Sequence, residues 1–343
     1  MTEGSIAVTT KDIARIAGVS VSTVSRSLND SPRISAETKE RIKRIAVELD
    51  FEFDASARSL STRRSGTVAF VIPAFLDRFA NTLYLNLLIY DIRKRLAERG
   101  LDCIVTEALA PDGSSNVRRL VLQRKVDGVI LLLESTRPED WSIMKKRGIP
   151  VLHAHYMPNF LDTEGMDYFY TDNVKGGLVA TEALLDSGCE RVACLLDVCR
   201  NPEMADRERG YLNAHLARGL APDPRLRFVS ENSFADAYAC VRNNLPAFKS
   251  ADGVFVTTDI MALAVLRALT DSGVHIPDDC RLVGYDDIEL CTYVKPTLTS
   301  VHQPREEIAR LACDRLVYLL DGGPVDPYSQ RLIVPTLVRR ESC

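Results

Sequence analysis

No stretch of this sequence is apolar for long enough to span a bilayer: its apolar runs, such as Val129 to Leu133, fall far short of the roughly 20 residues a membrane helix requires. The opening MTEGSIAVTTKDIA has no basic segment leading into an apolar one, so no secretory signal is read there and a cytoplasmic location is expected. Cysteine offers no framework either. There are nine, an odd number, with no C-x-x-C pair, and Cys103, Cys194, Cys240 and Cys291 sit in apolar stretches that suit reduced, buried thiols. Cys189, Cys194 and Cys199 recur at five-residue spacing, but no histidine stands near them at zinc-ligand spacing. His153-x-His155 places two imidazoles on one face of a strand without a visible third ligand. Catalytic signatures are missing too: there is no G-x-G-x-x-G after the first strand, no P-loop and no G-x-S-x-G elbow. The chain is therefore read as a non-enzyme without a cofactor or metal.

What is present is a composition of 46% hydrophobic and 26% charged residues over 343 positions, enough for two or three globular domains. The net charge of −4 excludes a uniformly basic nucleic-acid coat, so any contact with a polyanion has to be local. One region qualifies. Residues 1–47 carry eight Lys or Arg against five acids, and residues 55–64 add Arg58, Arg63 and Arg64 with no acid.

Within that region, Thr9 or Thr10 can cap a helix over 11–17 whose Ile13, Ile16 and Ala17 share a face, and Gly18 supplies the break. Ser20 then caps a second helix in which Val21, Val24 and Leu28 recur at core spacing, leaving Ser22, Thr23, Ser25, Arg26 and Asn29 outward. Short hydroxyls and one Arg can approach base edges and phosphates closely; the same face also suits simple solvation. Ser35 begins a third helix with Ile42, Ile45, Ala46 and Leu49 inward. The first two helices have helix-turn-helix spacing. Asp54 can cap a short segment over 55–61, too small to be stable alone, which is read as a hinge that orders with a partner or DNA.

These stretches resemble the lac-repressor (LacI/GalR) family of bacterial regulators. The resemblance is carried by Thr10-Lys11-Asp12-Ile13-Ala14-Arg15-Ile16-Ala17-Gly18-Val19-Ser20, by Ser22-Thr23-Val24-Ser25-Arg26 through Leu28-Asn29, and by Ala57-Arg58-Ser59-Leu60. It implies base reading by Val21, Ser22 and Arg26, with Thr10, Thr23, Ser25 and Asn29 in the same DNA-facing set. It also implies a minor-groove wedge at Leu60 with Ala57 beside it. Where the family usually has Pro-Asn before the hinge, this chain has Phe53-Asp54, an acid that would repel phosphate.

From residue 66 onward, β-branched runs alternate with amphipathic helices. Strands are read over 67–72, 102–106, 128–133, 191–196, 253–257 and 281–285, and helices over 82–99, 207–218 and 260–271, an order that gives doubly wound parallel sheets. Two α/β lobes with a cleft at their strand ends follow. The resemblance extends through Asp127-Gly128-Val129-Ile130-Leu131-Leu132, Thr171-Asp172-Asn173 with Gly177, Arg207 with Gly210-Tyr211, Asp259 with Met261-Ala262-Leu263, and Val283-Gly284-Tyr285-Asp286-Asp287.

It implies an N-terminal all-α helix-turn-helix head with a hinge helix, then a two-lobed, periplasmic-binding-protein-like (type I) α/β effector domain. The boundaries are a head over 1–53, a hinge over 54–65, a first lobe over 66–170 with about 299–325, and a second over 171–298 with about 326–343. The implied partners are double-stranded operator DNA, a second copy of the chain, and a small carbohydrate-like effector. Its pocket falls on Asp77, Phe79, Asp172, Arg207, Phe234, Thr258 and Asp286. An Arg–carboxylate pair can hold vicinal hydroxyls while the two Phe cover ring faces. Spacing alone also leaves Asp286-Asp287 suited to capping a helix, and Arg207 to a solvated helix start. Thr258 stands where the family favours Asn, and His155-Tyr156 where it favours Asp-Arg, departures that point away from an ordinary hexose. A solute-binding protein or a cleft enzyme with an accessory head is the competing reading. Because only four residues follow Arg339, no heptad tail for tetramer assembly is expected.

Overall fold

Each of the first three helices is opened by a local polar cap. The computed structural model describes residues 8–51, 64–72, 83–132, 137–155, 165–198 and 202–343. Ahead of α1 (Thr10–Ala17), the Asp12 carboxylate accepts from the Thr9 backbone at 3.0 Å and its hydroxyl at 2.7 Å. Ser20 accepts from the Thr23 backbone at 3.1 Å ahead of α2 (Val21–Leu28), and Ser35 from the Thr38 backbone at 3.3 Å ahead of α3 (Ala36–Glu48). Gly18 closes α1 at φ +64°, a left-handed position that glycine adopts without strain. The three helices enclose Ile13, Ala14, Ala17, Val24, Ile42 and Ala46.

Two sequence expectations are corrected here. Ile16 is 53% exposed and Val21 42% exposed, so neither belongs to this core. Ala14 takes the inward place expected of Ile16, and Val21, the first residue of α2, faces solvent. The hinge helix, with Ala57 and Leu60, lies outside the described residues, as do Asp77 and Phe79.

The chain divides into two units, Met1–Thr67 with Arg124–Asp127, and Val68–Gln123 with Gly128–Cys343. The second is built on two six-stranded sheets. Its chain order begins β1 (Thr67–Ile72), α4 (Leu83–Ala97), β2 (Asp102–Glu107), α5 (Asn116–Leu122), β3 (Gly128–Leu131), α6 (Pro138–Lys146), β4 (Val151–Ala154) and β5 (Asp167–Thr171). It continues through α7 (Asn173–Asp186), β6 (Val192–Asp197), α8 (Pro202–Leu216), β7 (Arg227–Ser230), α9 (Phe234–Asn243), α10 (Leu245–Lys249), β8 (Gly253–Val256), α11 (Asp259–Asp271) and β9 (Arg281–Asp286). The last elements are β10 (Thr299–His302), α12 (Arg305–Leu320), β11 (Gln330–Ile333) and β12 (Thr336–Val338). Strand order is β11-β5-β4-β3-β1-β2 in one lobe and β12-β10-β9-β8-β6-β7 in the other. Strands buried on both faces, such as β6 and β8, read as unbroken apolar runs because helices cover both sides.

The lobes exchange chain at other places than the sequence suggested. β10, expected in the first lobe, pairs in parallel with β9, Thr299 opposite Val283, and so completes the second sheet. β11, expected in the second, pairs with β5, Gln330 opposite Tyr168, and completes the first. The chain thus crosses between lobes three times: after Thr171, around Gln303, and after Ile333. Among the described residues helix α8 already runs from Pro202, so Arg207 lies inside the helix rather than at the start expected for it.

Candidate functional site

On the N-terminal unit, α2 offers Ser22 and Arg26 exposed, with Thr23 and Ser25 half-buried beside them. The Ser20 hydroxyl lies 2.8 Å from both the Ser22 and Thr23 hydroxyls, so the cap also orients the start of this face. Val21 is exposed next to them. Thr10 is half-buried in the first turn of α1. Asn29 is not a free projection: it caps α2, its Nδ2 donating to the Ser25 carbonyl at 2.9 Å. Lys43 pairs with Asp30 at 2.7 Å and Lys39 donates to the Asp30 carbonyl at 2.9 Å, which fixes the turn after α2 to α3.

On the second unit, three of the expected effector residues come together. Arg207, on α8, is 2% exposed; its Nε donates to Asn173 Oδ1 at 2.8 Å, its Nη1 to the Thr257 carbonyl at 2.5 Å, and its guanidinium lies 3.7 Å over the Tyr285 ring. Its Nη1 is 3.6 Å from Asp286 Oδ1. Asp286 ends β9 at φ +116°, a region L-residues rarely occupy, and Asp287 follows at φ +53°. That backbone turns the Asp286 carboxylate inward, where Oδ1 accepts from Gln303 Nε2 at 2.7 Å. Burial holds the Asp286 carboxyl above the usual range, against the opposing pull of Arg207 and Gln303. Thr258 is buried and donates to Asn232 Oδ1 at 2.9 Å. Thr258 and Asp286 line a cavity of about 20 Å³ with Leu83, Tyr84, Asn232, Ile260 and Ile288.

The other two described residues stand apart. Asp172 accepts from the Lys175 backbone at 2.9 Å as the cap of α7. Phe234 is 43% exposed on α9, stacked on Tyr238 with ring centroids 6.4 Å apart, and does not line that cavity.

Sequence reasoning did not single out Asn173, Asn232, Gln303 or Tyr84 as site residues. Asn173 was within reach, since it belongs to the Thr171-Asp172-Asn173 stretch, whereas no local pattern marks Gln303. A further buried carboxylate, Asp259, accepts from the Ile288 backbone at 2.9 Å and the Ser300 hydroxyl at 2.6 Å. Burial, and then the neighbouring Asp286 charge, push its carboxyl up. His153 and His155 are buried core imidazoles, His153 6.0 Å from Trp141 and His155 5.1 Å from Tyr84 between ring centroids. Burial lowers them to about 4 and about 3, which keeps both neutral. Among the described residues no cluster of three or more metal-ligating side chains occurs, and no helix is long and apolar enough to cross a membrane.

Comparison with known proteins matches both units. Residues 9–53 match the lacI family of bacterial regulatory proteins, and residues 181–343 a periplasmic binding protein-like domain. The chain is 32% identical over 336 residues to the HTH-type transcriptional regulator CelR of Thermobifida fusca, covering 96% of each. It is 30% identical over 338 residues to the ribose operon repressor of Escherichia coli (strain K12), covering 97% of this chain and 99% of that one. Among solved structures, a transcriptional regulator CelR–cellobiose complex aligns at TM-score 0.71 and 29% identity, covering 98% of this chain and 100% of that one. The lac repressor dimer bound to operator and the anti-inducer ONPF aligns at TM-score 0.78 and 22% identity, over 98% and 99%, a likeness of fold.

Proposed function

This chain belongs to the lacI family of bacterial regulatory proteins, and from that premise we propose that it is a dimeric repressor of a pseudo-palindromic operator, controlled by a neutral, carbohydrate-like effector. The observation that carries the DNA half is the α2 face: a serine-capped helix presenting Val21, Ser22 and Arg26 to solvent on a small unit of its own. Short side chains there let the helix backbone approach the major groove, and Arg26 can pair with a guanine edge. Thr23 and Ser25 flank these contacts, and Thr10 and Asn29 serve at the helix ends. Ala57 and Leu60 are assigned the minor groove on resemblance alone.

Charge supports a neutral effector. Among the described residues around the small cavity, Asp286 is the charged group, and the nearby cation, Arg207, already spends Nε and Nη1 inside the protein. Among the described residues lining that cavity an anionic ligand would meet the Asp286 carboxylate, whereas hydroxyls can donate to Asp286 and exchange hydrogen bonds with Asn232 and Thr258. Leu83, Ile260 and Ile288 offer a ring its apolar wall. A cavity of about 20 Å³ has room for about one water, so a ring-sized effector enters only as the lobes separate. Arg207 acts behind Asp286, and Asp172, Phe234, Asp77 and Phe79 complete the effector set on resemblance.

The test is selection of bound duplexes from a random library by the full-length chain, alone and with cellobiose or ribose, with Arg26→Ala and Leu60→Ala alongside. Enrichment of a palindrome that both variants weaken is the expected result. Absence of enrichment under every condition would overturn the operator reading.

A further inference from the structure

Two of the three crossings between the lobes are tied by side chains into one closed polar ring. Asp286 Oδ1 accepts from Gln303 Nε2 at 2.7 Å, and Gln303 Oε1 accepts from the Thr171 hydroxyl at 2.9 Å. The Thr171 carbonyl accepts from Asn173 Nδ2 at 3.1 Å, Asn173 Oδ1 accepts from Arg207 Nε at 2.8 Å, and Arg207 Nη1 returns to Asp286 at 3.6 Å. Thr171, Asn173, Arg207 and Gln303 are each at most 2% exposed. The third crossing joins through the Asp172 backbone, which donates to the Ile333 carbonyl at 2.9 Å.

One member of this ring bridges the lobes by its side chain alone. Thr171 closes β5 of the first sheet, Asp286 closes β9 of the second, and Gln303 lies on the crossing between β10 and α12 with one end of its amide on each. The amide cannot turn over without setting its own oxygen against the Asp286 carboxylate, so its two ends are not interchangeable. A rotation of one sheet against the other that carries Asp286 away from Thr171 stretches one of these two bonds. Replacing a buried bond is costly where no water can substitute, so the bridge resists such a rotation until another partner engages Asp286.

We propose that Gln303 is a positioning residue that latches the two lobes together, holding Asp286 from Thr171 so that a group binding Asp286 acts on the latch. The proposal rests on the effector reading only in its last clause. The latch itself exists without DNA or sugar, so its failure and the failure of that reading are separable.

The experiment is hydrogen–deuterium exchange of the full-length chain without added ligand, comparing Thr171→Val, Gln303→Leu, their combination, and Thr171→Ser. Thr181→Val is the control, because Thr181 is equally buried and donates to the Gly177 carbonyl at 2.8 Å outside the ring. Thr171→Val, though made in the first lobe, should raise exchange several-fold at residues 284–288 of the second. Gln303→Leu should do the same, their combination should add little, and Thr171→Ser should restore the native rate. Unchanged exchange at 284–288 in Thr171→Val, or an equal rise in Thr181→Val, would overturn the latch. If Thr171→Val does not fold, Gln303→Leu against the same control decides by the same criterion.

Discussion

A Cβ placed on Gly177 would lie 2.0 Å from the Arg207 carbonyl oxygen, so α7 and α8 touch backbone to backbone at this pair. The contact is reciprocal: a Cβ on Gly210 would fall 2.2 Å from the Val174 carbonyl oxygen. It is this approach that brings the Arg207 side chain within reach of Asn173. Gly177→Ala gains about 1 kcal/mol of helix propensity and loses about 3 kcal/mol to overpacking against backbone that cannot yield, a net loss of about 2 kcal/mol. A urea midpoint that falls with an unchanged slope is expected. An unchanged midpoint would show that the two helices separate freely.

Asp259 gives a pH dependence of defined sign. Its carboxyl is pushed up in the folded chain by burial first and by Asp286 second, so the folded state binds that proton more tightly than the unfolded state. The stability this contributes is fully present below the unfolded carboxylate value and is lost as pH rises through the raised folded value. Asp259→Asn removes the titration and keeps an acceptor for the Ile288 backbone, while Ser300 can accept from the new amide. The Tm of the variant relative to the native chain should therefore rise between about pH 4 and about pH 8 and level off above that. A difference that stays flat with pH, or falls, contradicts a raised Asp259.

Gly284 explains why this carboxylate can sit there at all. A Cβ at that position would lie 2.2 Å from Asp259 Oδ1, so the strand must be bare opposite the buried acid. In the sequence, Gly284 was visible only as part of Val283-Gly284-Tyr285-Asp286-Asp287, and its reason was not. The strands and helices of both lobes were legible from periodicity, since sheets covered on both faces demand unbroken apolar runs. The lobe exchange was not, because whether β10 pairs with β9 or stays with the following helix depends on contacts far apart in the chain. Gln303 was illegible for the same reason: its partners, Thr171 and Asp286, are 132 and 17 residues away. Ile16 misled because an eight-residue helix turns its apolar stripe only twice, and Ala14 filled the place.

The two kinds of contact expected of the N-terminal unit separate by mutation. Arg26, exposed on α2, is assigned a base edge, so Arg26→Ala should cost about 1–3 kcal/mol on the selected palindrome and almost nothing on scrambled duplex. Arg41 is exposed on a different helix, α3, and Arg41→Ala should change both affinities alike or neither. Fluorescence anisotropy on matched and scrambled duplexes at one salt concentration reads both. Uniform loss in Arg26→Ala would reassign it to phosphate.

Asp286 carries the sharpest prediction about the effector. Hydroxyl donors bind a carboxylate more strongly than a carboxylic acid, and hydrogen bonds to a charged group contribute about 1.5–3 kcal/mol. Asp286→Asn keeps an acceptor for Gln303 and tolerates the left-handed backbone better than most residues would, so the fold should survive while effector affinity drops about 10- to 100-fold. The native chain should show a related loss in solution. Because burial raises the Asp286 carboxyl, lowering the pH through that raised value protonates it and weakens binding, whereas the variant has nothing to titrate there. Calorimetric titration with whichever of cellobiose and ribose binds, repeated across pH, measures both effects. Parallel pH profiles for the two proteins would remove Asp286 from the effector contact and leave it as a member of the buried ring alone.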